Sequence, residues 1–420
     1  MNKKLVKKIL FTLILLFACF KAIGLKNANL VNHITFVSAI GIDKIQDNDE
    51  KILVTFQIVP PQVSLENGSD SAKVLITSVE ADSIEQAITY MHNYISSVVN
   101  FSQTRAIIFS EEIARDGLQK YLSSISSSST LDTNMYVIVS ENESAKDFLE
   151  AINKNAEMNP FNYFNVIKNS EFIGSSSQLV TVMDFLKLLN DPLQSATVTL
   201  GRLENITENE NGSQGTDPTQ NQGQTNEANS SDTHTKEAND ETQTNVLIDG
   251  VAIFKDDKMI GTLTGQETAF HLMINKTVNV FFYQLIQEKE GEKIATSLYC
   301  WQNQKSKIQF DQSNFIDITI PLNVSVVQTK ENTFDFYNKE YMQTLRNDLI
   351  EALTLDFDTY FQKLQTEYKT DIDGLMKKIK YRFLTQKDID NYEMNNHFCS
   401  SNIRVHFDIK FVTSGLSNKK

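Results

Sequence analysis

The sequence of 420 residues has few cysteines, fewer basic than acidic residues and only one long apolar run, and each shortage excludes a class of protein. Three cysteines are too few for a disulfide-stapled scaffold. A single apolar run, close to the N-terminus, excludes a membrane protein with several spans. The chain is nevertheless 40% hydrophobic, which is enough to bury a sizeable core. At roughly 100–200 residues per domain we expect two or three domains.

Acidic residues dominate the charge of the chain. It carries 39 Lys and Arg against 53 Asp and Glu, a net charge of −14, and the lysines at positions 3, 4, 7 and 8 stand at the extreme N-terminus. Such a body is repelled by phosphate backbones and by anionic lipid surfaces. We therefore predict no nucleic-acid partner, and any attachment to a membrane must be covalent or apolar.

The motifs that carry catalysis are missing as well. The sequence has no Gly-rich phosphate loop, no His-Glu-x-x-His zinc motif and no nucleophile elbow. Only His397 has a cysteine close by, Cys399, and that pair lacks further ligands at metal-site spacing. His92 and His271 lie in helical patterns and are predicted to be surface or core-edge residues. We predict no enzyme activity, catalytic residue, cofactor or metal. Cys300 and Cys399 could form a disulfide or remain separate thiols, and both alternatives stay open.

The N-terminus has the features of an export signal. Four lysines precede the apolar run 9–20, which is interrupted only by Thr12 and extends about 18 Å as a helix, short of the ~30 Å hydrocarbon core. The run ends in Leu-Phe-Ala-Cys at 16–19, which resembles a bacterial lipobox. We predict a lipoprotein signal peptide at 1–18 and lipid attachment at Cys19, where two acyl chains would give a stable anchor. An ordinary cleaved signal or an uncleaved short anchor is the alternative.

A polar stretch at 204–244 divides the rest of the chain. Its 41 residues include nine acids against one lysine, and their only apolar side chains are Ile206, Ala228 and Ala238. Because so little surface can be buried there, we predict a disordered acidic polar linker. The composition is equally compatible with a linker between domains and with an insertion in one domain.

The two flanking blocks differ in their hydrophobic patterns. Block 19–203 begins with an alternating strand at 52–58 and a helix that starts at Ser83, with Gln86 at capping-box spacing. Further strands and helices follow, including one helix at 111–122, and this alternation predicts a mixed α/β domain. Block 245–415 has a hairpin at 246–263, long alternating strands and one long helix, or two, at 338–369. Pro321 in one of these strands suggests a sheet edge. We therefore predict a multidomain α+β protein whose C-terminal block is an antiparallel sheet plus a long helix.

Several stretches of the chain resemble one known family. The lipobox cysteine is followed by Ala-Ile-Gly-Ile-Asp-Lys at 39–44 and by Phe-Gln-Ile-Val-Pro at 56–60. Residues 249–263 follow the pattern Gly-x-Ala-x-Phe-x-x-x-Lys-x-x-Gly, and Tyr-Lys-Thr-Asp-Ile-Asp-Gly-Leu stands at 368–375. In this order and spacing the stretches resemble the Ger(x)C lipoproteins of spore germination receptors, over roughly residues 19–200 and 246–415.

The resemblance implies a function in nutrient-triggered spore germination. The chain would be a non-catalytic subunit of a nutrient germinant receptor, exported and lipid-anchored through Cys19 to the outer face of the spore inner membrane. It would stand beside two integral-membrane subunits and support receptor assembly or signalling. The alternative is a solute-binding lipoprotein of a transporter, a class that usually has two doubly wound lobes. A cell-envelope hydrolase is disfavoured because no nucleophile or metal constellation occurs.

Overall fold

The structure is a computed structural model that describes residues 12–14, 34–46, 50–59, 74–155, 164–206, 243–289, 292–311, 315–329, 338–383 and 385–412. Within these residues, the strands form two sheets, and helices pack on both sheets. The predicted α+β class is confirmed. Cys19 and residues 207–242 lie outside the described residues, so lipid attachment and linker disorder stay predictions.

The first sheet has nine strands among the described residues, in the order β3-β2-β1-β5-β6-β7-β8-β9, with the short β4 also pairing with β1. Neighbours β1, β5, β6 and β7 run parallel, and the other main pairs are antiparallel. The strands are β1 Ile34–Lys44, β2 Ile52–Val59, β3 Leu75–Ala81, β4 Val98–Asn100, β5 Ala106–Ser110, β6 Tyr136–Ser140, β7 Thr197–Ile206, β8 Gln243–Lys255 and β9 Lys258–Leu263.

Helices cover both faces of this sheet. They are α1 Ile84–Tyr94, α2 Glu111–Asp116, α3 Gln119–Ser127, α4 Ala145–Asn155, α5 Asn165–Asn169 and α6 Val182–Leu189. Alternate residues of a strand point to opposite faces, so Ile107 packs in one core with α1, α2, α3 and α6, whereas Ile108 packs in another with α4 and α5. The mixed α/β character predicted for the first block follows from this arrangement.

Local sequence signals explain the ends of two of these helices. Ser83 caps α1, its hydroxyl accepting a hydrogen bond from the Gln86 N–H at 3.2 Å, whereas the Gln86 side chain accepts from the N–H of Asp82 rather than of Ser83. The single helix predicted at 111–122 is wrong. Gly117, with φ of 122°, ends α2, and α3 begins two residues later.

The second sheet has five strands among the described residues. They are β10 Phe281–Lys289, β11 Glu292–Trp301, β12 Lys307–Phe310, β13 Phe315–Thr329 and β14 Asn402–Phe411. Pairs β10·β11, β11·β13 and β12·β13 are antiparallel, but β14 pairs with β13 in parallel, a departure from the antiparallel sheet predicted. The predicted edge at Pro321 is also wrong, because β13 has partners on both sides. Pro321 falls between the segments of β13 that pair with β12 and β11, where a missing N–H is tolerated.

One long helix packs on the second sheet. The helices of this unit are α7 Gly265–Asn275, α8 Lys339–Gln362, α9 Leu375–Ile379, α10 Gln386–Asn391 and α11 Met394–Ser400. Helix α8 is unbroken and continues as a π-helical turn at Lys363–Tyr368, so the one-helix alternative is correct. Its apolar stripe is buried with the inner faces of β10, β11, β13 and β14.

The strands on either side of the acidic stretch pair with each other. Strand β7 runs antiparallel to β8, and Ile206 is opposite Gln243. The two ends of the predicted linker thus belong to ordered strands. Strands β8 and β9, predicted from the sequence as part of the second block, complete the first sheet. The stretch is therefore an insertion between neighbouring strands of one sheet. No helix in the described part of the chain is long and apolar enough to cross a membrane.

Candidate functional site at the junction of the two sheets

The β8–β9 hairpin belongs to the first sheet and contacts both parts of the chain, the first part being the first sheet with α1 to α6 and the second part being the second sheet with α7 to α11. The tip of the hairpin contacts α3 of the first part. The turn at Asp256 and Asp257 requires φ of 55° at Asp256. The Asp257 carbonyl accepts the Leu118 N–H at 2.9 Å, and its carboxylate accepts the Gln119 N–H at 3.1 Å. Gly117 leaves room for this carboxylate, since a Cβ there would lie 2.7 Å from the Asp257 Oδ2. The tip is therefore fixed to the start of α3.

The same hairpin contacts the second part of the chain through β9. The Thr262 carbonyl accepts hydrogen bonds from the Lys363 ammonium at 3.2 Å and from the Tyr368 hydroxyl at 2.9 Å. Lys363 also pairs with Glu267 at 3.0 Å, the residue that completes the capping box of α7. Gly261 faces the Tyr368 ring, and a Cβ on it would come within 2.2 Å of that ring. The glycine is thus required for the π-helical turn to approach β9.

A bulge in β8 places the glycine that begins this hairpin motif. Asp249 and Gly250 together stand opposite Leu200 of β7, and Gly250 has φ of 92°. Its N–H donates to the Ser176 carbonyl at 2.6 Å. A Cβ at Gly250 would lie 2.3 Å from the Leu263 carbonyl oxygen. This position therefore combines a left-handed backbone conformation with a close approach to the backbone of β9.

A buried hydrogen-bonded cluster joins α7, α8 and the segment that follows α8. The His271 Nδ1 lies 2.7 Å from Asp373, and the Tyr360 hydroxyl donates to both carboxylate oxygens of Asp373 at 3.1 and 3.0 Å. His271 is 2% exposed, and Asp373 and Tyr360 are fully buried, so the prediction that His271 lies at the surface or core edge is wrong. Burial and the Asp373 charge raise the pKa of Tyr360 well above its usual value. Because all three side chains are buried, a substrate cannot reach the cluster, and its hydrogen bonds hold α7, α8 and the segment after α8 together.

The segment carrying Asp373 also contacts the loop between α6 and β7. Ser195 donates its N–H to the Asp371 carbonyl at 2.9 Å, and its hydroxyl bonds that of Thr370. Gln194 donates to the Ile372 carbonyl at 2.9 Å. A cleft of about 480 Å³ opens here between the two parts of the chain. Its lining residues are 188–196, Lys255, Asp256, Thr370, Asp371, Met376, Met394 and Asn395.

Asp371 is the most perturbed carboxyl group at this junction. It is 4% exposed, and its Oδ2 accepts the Met376 N–H at 2.8 Å, whereas its Oδ1 has no hydrogen-bond partner among the described residues. Burial raises its pKa to about 7, with the nearby Asp373 charge adding to the effect. In the sequence, residues 368–375 stand out only for their resemblance to the family. A pair of acids followed by a glycine was the available signal for this segment.

The other residues singled out from sequence are dispersed over the structure. His92 lies exposed on α1, the His397 ring stacks on Tyr392 at 3.8 Å, and His406 lies 3.5 Å from Asp317. Cys300 and Cys399 are both free thiols, which answers the question of their pairing. In the described part of the chain no three His, Cys, Asp or Glu side chains group as metal ligands. The junction thus consists of packing, hydrogen bonds and ion pairs between two parts of one chain.

Two sequence models of known families match the chain. One, described as Spore germination protein N-terminal domain, matches residues 27–205, and the other, described as Spore germination B3/GerAC like, C-terminal, matches residues 249–415. The chain belongs to the Ger(x)C family of spore germination proteins. The resemblance inferred from the sequence is confirmed. This Ger(x)C chain is therefore a relative of the C subunits of germinant receptors.

A solved structure with the same fold supports the assignment of this Ger(x)C chain. The chain is similar to that solved structure, the crystal structure of the GerBC protein, with a TM-score of 0.50 and 16% sequence identity, over 89% of this chain and 97% of that chain. At this identity the likeness concerns the fold. A comparison with curated protein sequences gives no match.

Proposed function

We propose that the chain is a non-catalytic, lipid-anchored C subunit of a nutrient germinant receptor and that it supports receptor assembly or signalling beside two integral-membrane subunits. The observation that carries this proposal is the succession of the two Ger(x)C matches along one chain, behind an N-terminal segment that resembles a lipoprotein export signal. The expected location is the outer face of the spore inner membrane.

The anchor is inferred from the N-terminal sequence. The stretch 16–19 resembles a lipobox, in which the thiol of Cys19 would be diacylated and the signal peptide then cut just before it. Strand β1 begins at Ile34, fifteen residues later, and a chain of that length reaches at most about 50 Å. The folded body would therefore stay close to the membrane surface and to integral partners.

A supporting role is favoured by the burial of the His271–Asp373–Tyr360 cluster and by an exposed apolar patch on the second sheet. The His271–Asp373–Tyr360 cluster is closed to solvent and holds three elements together. On the outer face of the second sheet, Phe282, Ile286 and Tyr299 of β10 and β11 are 52%, 63% and 45% exposed, and an apolar patch of this kind suits contact with another protein. The second sheet is also no doubly wound lobe, which disfavours the solute-binding lipoprotein of a transporter.

Replacement of Cys19 tests the anchor. Cys19→Ala should abolish labelling with a fatty-acid probe, leave the precursor uncleaved and lower the amount of the integral subunits that co-purify with the chain. Cys399→Ala removes a partly exposed free thiol instead and serves as the matched control, for which labelling and co-purification should be normal. Continued fatty-acid labelling of Cys19→Ala would refute the anchor. Normal receptor assembly by an unlabelled variant would refute its role in assembly.

A further inference from the structure

A second cleft lies at the carboxyl ends of the parallel strands of the first sheet. Its volume is about 510 Å³, within the range of small-molecule sites. Strands β1, β5 and β6 end at its floor, and the start of α4 forms one wall. Its lining residues are Asp43, Lys44, Gln46, Ser110, Glu111, Glu112, Arg115, Asn142, Glu143 and Ser144.

The topology opens a crevice at this place. Helix α2 leaves β5 toward the face on which Ile107 and Phe109 are buried, whereas α4 leaves β6 toward the opposite face, where Ile108 and Ile138 are buried. When successive connections leave to opposite faces, nothing covers the strand ends between them. Open sheets with parallel strands bind their ligands in such crevices.

Three polar side chains form a row across the strand ends. Ser110 is in register with Ser140, and Asp43 and Ser110 each follow the last registered pair of β1 and β5. All three point to the face covered by α4, because they stand two residues beyond Gly41, Ile108 and Ile138, which pack on that helix. The Asp43 carboxylate accepts the N–H groups of Ala145 and Lys146 at 2.6 and 3.0 Å. The Asp43 carboxylate thus has hydrogen-bond partners, and the other two members of the row are the hydroxyls of Ser110 and Ser140.

Neither serine hydroxyl is used within the described part of the chain. Ser110 is 5% exposed and Ser140 is fully buried, and neither Oγ has a hydrogen-bond partner there. Ser110 is the N-cap residue of α2, yet its side chain makes no capping bond. A buried hydroxyl without a partner costs about 1–3 kcal/mol, so the Ser110 hydroxyl, which lines the cleft, is expected to bond something that enters it.

The charge of the cleft defines what could enter. Arg115 pairs with Glu111 at 2.7 Å and Lys44 with Asp116 at 2.8 Å, so the two cations of the lining are already neutralised. Three further carboxylates of the lining form no ion pair among the described residues, namely Asp43, Glu112 and Glu143. The cleft therefore attracts a cation. Since no three His, Cys, Asp or Glu side chains of the described residues group as metal ligands, an organic cation is favoured over a metal ion.

We propose that this cleft binds a small organic solute that carries a protonated amine, with the carboxylates of Asp43, Glu112 and Glu143 in its lining attracting the amine and the hydroxyl of Ser110 bonding one of its polar groups. Nothing in anchoring or assembly requires such a site, so the inference goes beyond the proposed function. It gives the receptor subunit a ligand of its own.

Matched pairs of solutes test the amine. Titration calorimetry of the purified full chain in detergent compares ethanolamine with ethylene glycol and glucosamine with glucose. At least one amine should bind saturably with a Kd below about 5 mM, and its neutral counterpart should bind at least tenfold more weakly. Absence of binding by both amines, or equal binding by amine and neutral members, would overturn the proposal.

Variants place the bound solute in the cleft. Ser110→Ala should weaken amine binding about fivefold to tenfold without lowering the melting temperature of the ligand-free chain, since it removes an unpartnered hydroxyl. Glu112→Gln, at an exposed position, should weaken binding by a similar factor. Ser177→Ala is the matched control, because Ser177 has an equally buried and unpartnered hydroxyl outside this cleft. Unchanged affinity in Ser110→Ala and Glu112→Gln, or equal losses in Ser177→Ala, would contradict the assignment.

Discussion

Substitution of Gly250 by alanine probes the joint between the β7–β8 bulge and the hairpin. A non-glycine residue at φ of 92° costs about 1–3 kcal/mol. The new Cβ would also lie 2.3 Å from the Leu263 carbonyl oxygen, and relief of such an overlap costs about another 1–3 kcal/mol. We therefore expect Gly250→Ala to lower the free energy of unfolding by about 2–6 kcal/mol, a large part of what a domain has.

Urea denaturation of the purified full chain, followed by circular dichroism, measures this loss. With a slope of about 1–3 kcal/mol per molar urea, the midpoint should fall by about 1 M or more. Gly174→Ala is the matched control, because an added Cβ there meets nothing closer than 3.5 Å and the φ of Gly174 is not left-handed. If the two variants unfold within about 0.5 kcal/mol of each other, the reasoning from the bulge is wrong.

Three other predictions concern the junction and the acidic insertion. Since burial raises the pKa of Asp371 from 3.8 to about 7, its contribution to stability is present below about pH 4 and is lost as the pH rises through 7. Asp371→Asn should therefore reduce the loss of melting temperature between pH 5 and pH 8, and an unchanged pH profile would contradict this. His271→Gln should lower the unfolding free energy by about 1–3 kcal/mol, because Asp373 loses a buried partner, and denaturation equal to that of an exposed His92→Gln variant would refute it. Limited proteolysis should cut first within 207–242, yet the nicked chain should elute as one species on size exclusion because β7 and β8 stay paired; separated fragments would show two independent domains.

Local patterns were sufficient to predict most individual elements. The spacing of Leu345, Leu349 and Leu353 reports the buried side of α8 directly, since a helix repeats every 3.6 residues. The cap at Ser83 and the hairpin turn at Asp256 depend on a few adjacent residues and were equally legible. In each case the information lies within one element.

Contacts between distant parts of the chain could not be predicted in the same way. Strand β14 alternates like any half-buried strand, and the alternation does not say that it pairs in parallel with β13. His271 and Asp373 are 102 positions apart, and a histidine in a helical pattern looks the same whether it faces solvent or a carboxylate. Ser110 and Ser140 have no sequence signal at all, because an unpartnered hydroxyl is defined by what surrounds it.

The pairing of Ile206 with Gln243 has a practical consequence for engineering. Opposed residues of an antiparallel pair have Cα atoms about 4.5–5.5 Å apart, so the chain leaves and re-enters the sheet at almost the same point. Doubling the length of a connection between such points costs only about 0.6 kcal/mol in closure entropy. A fluorescent reporter with neighbouring termini could therefore replace 207–242 and follow the subunit in living spores while both sheets stay intact.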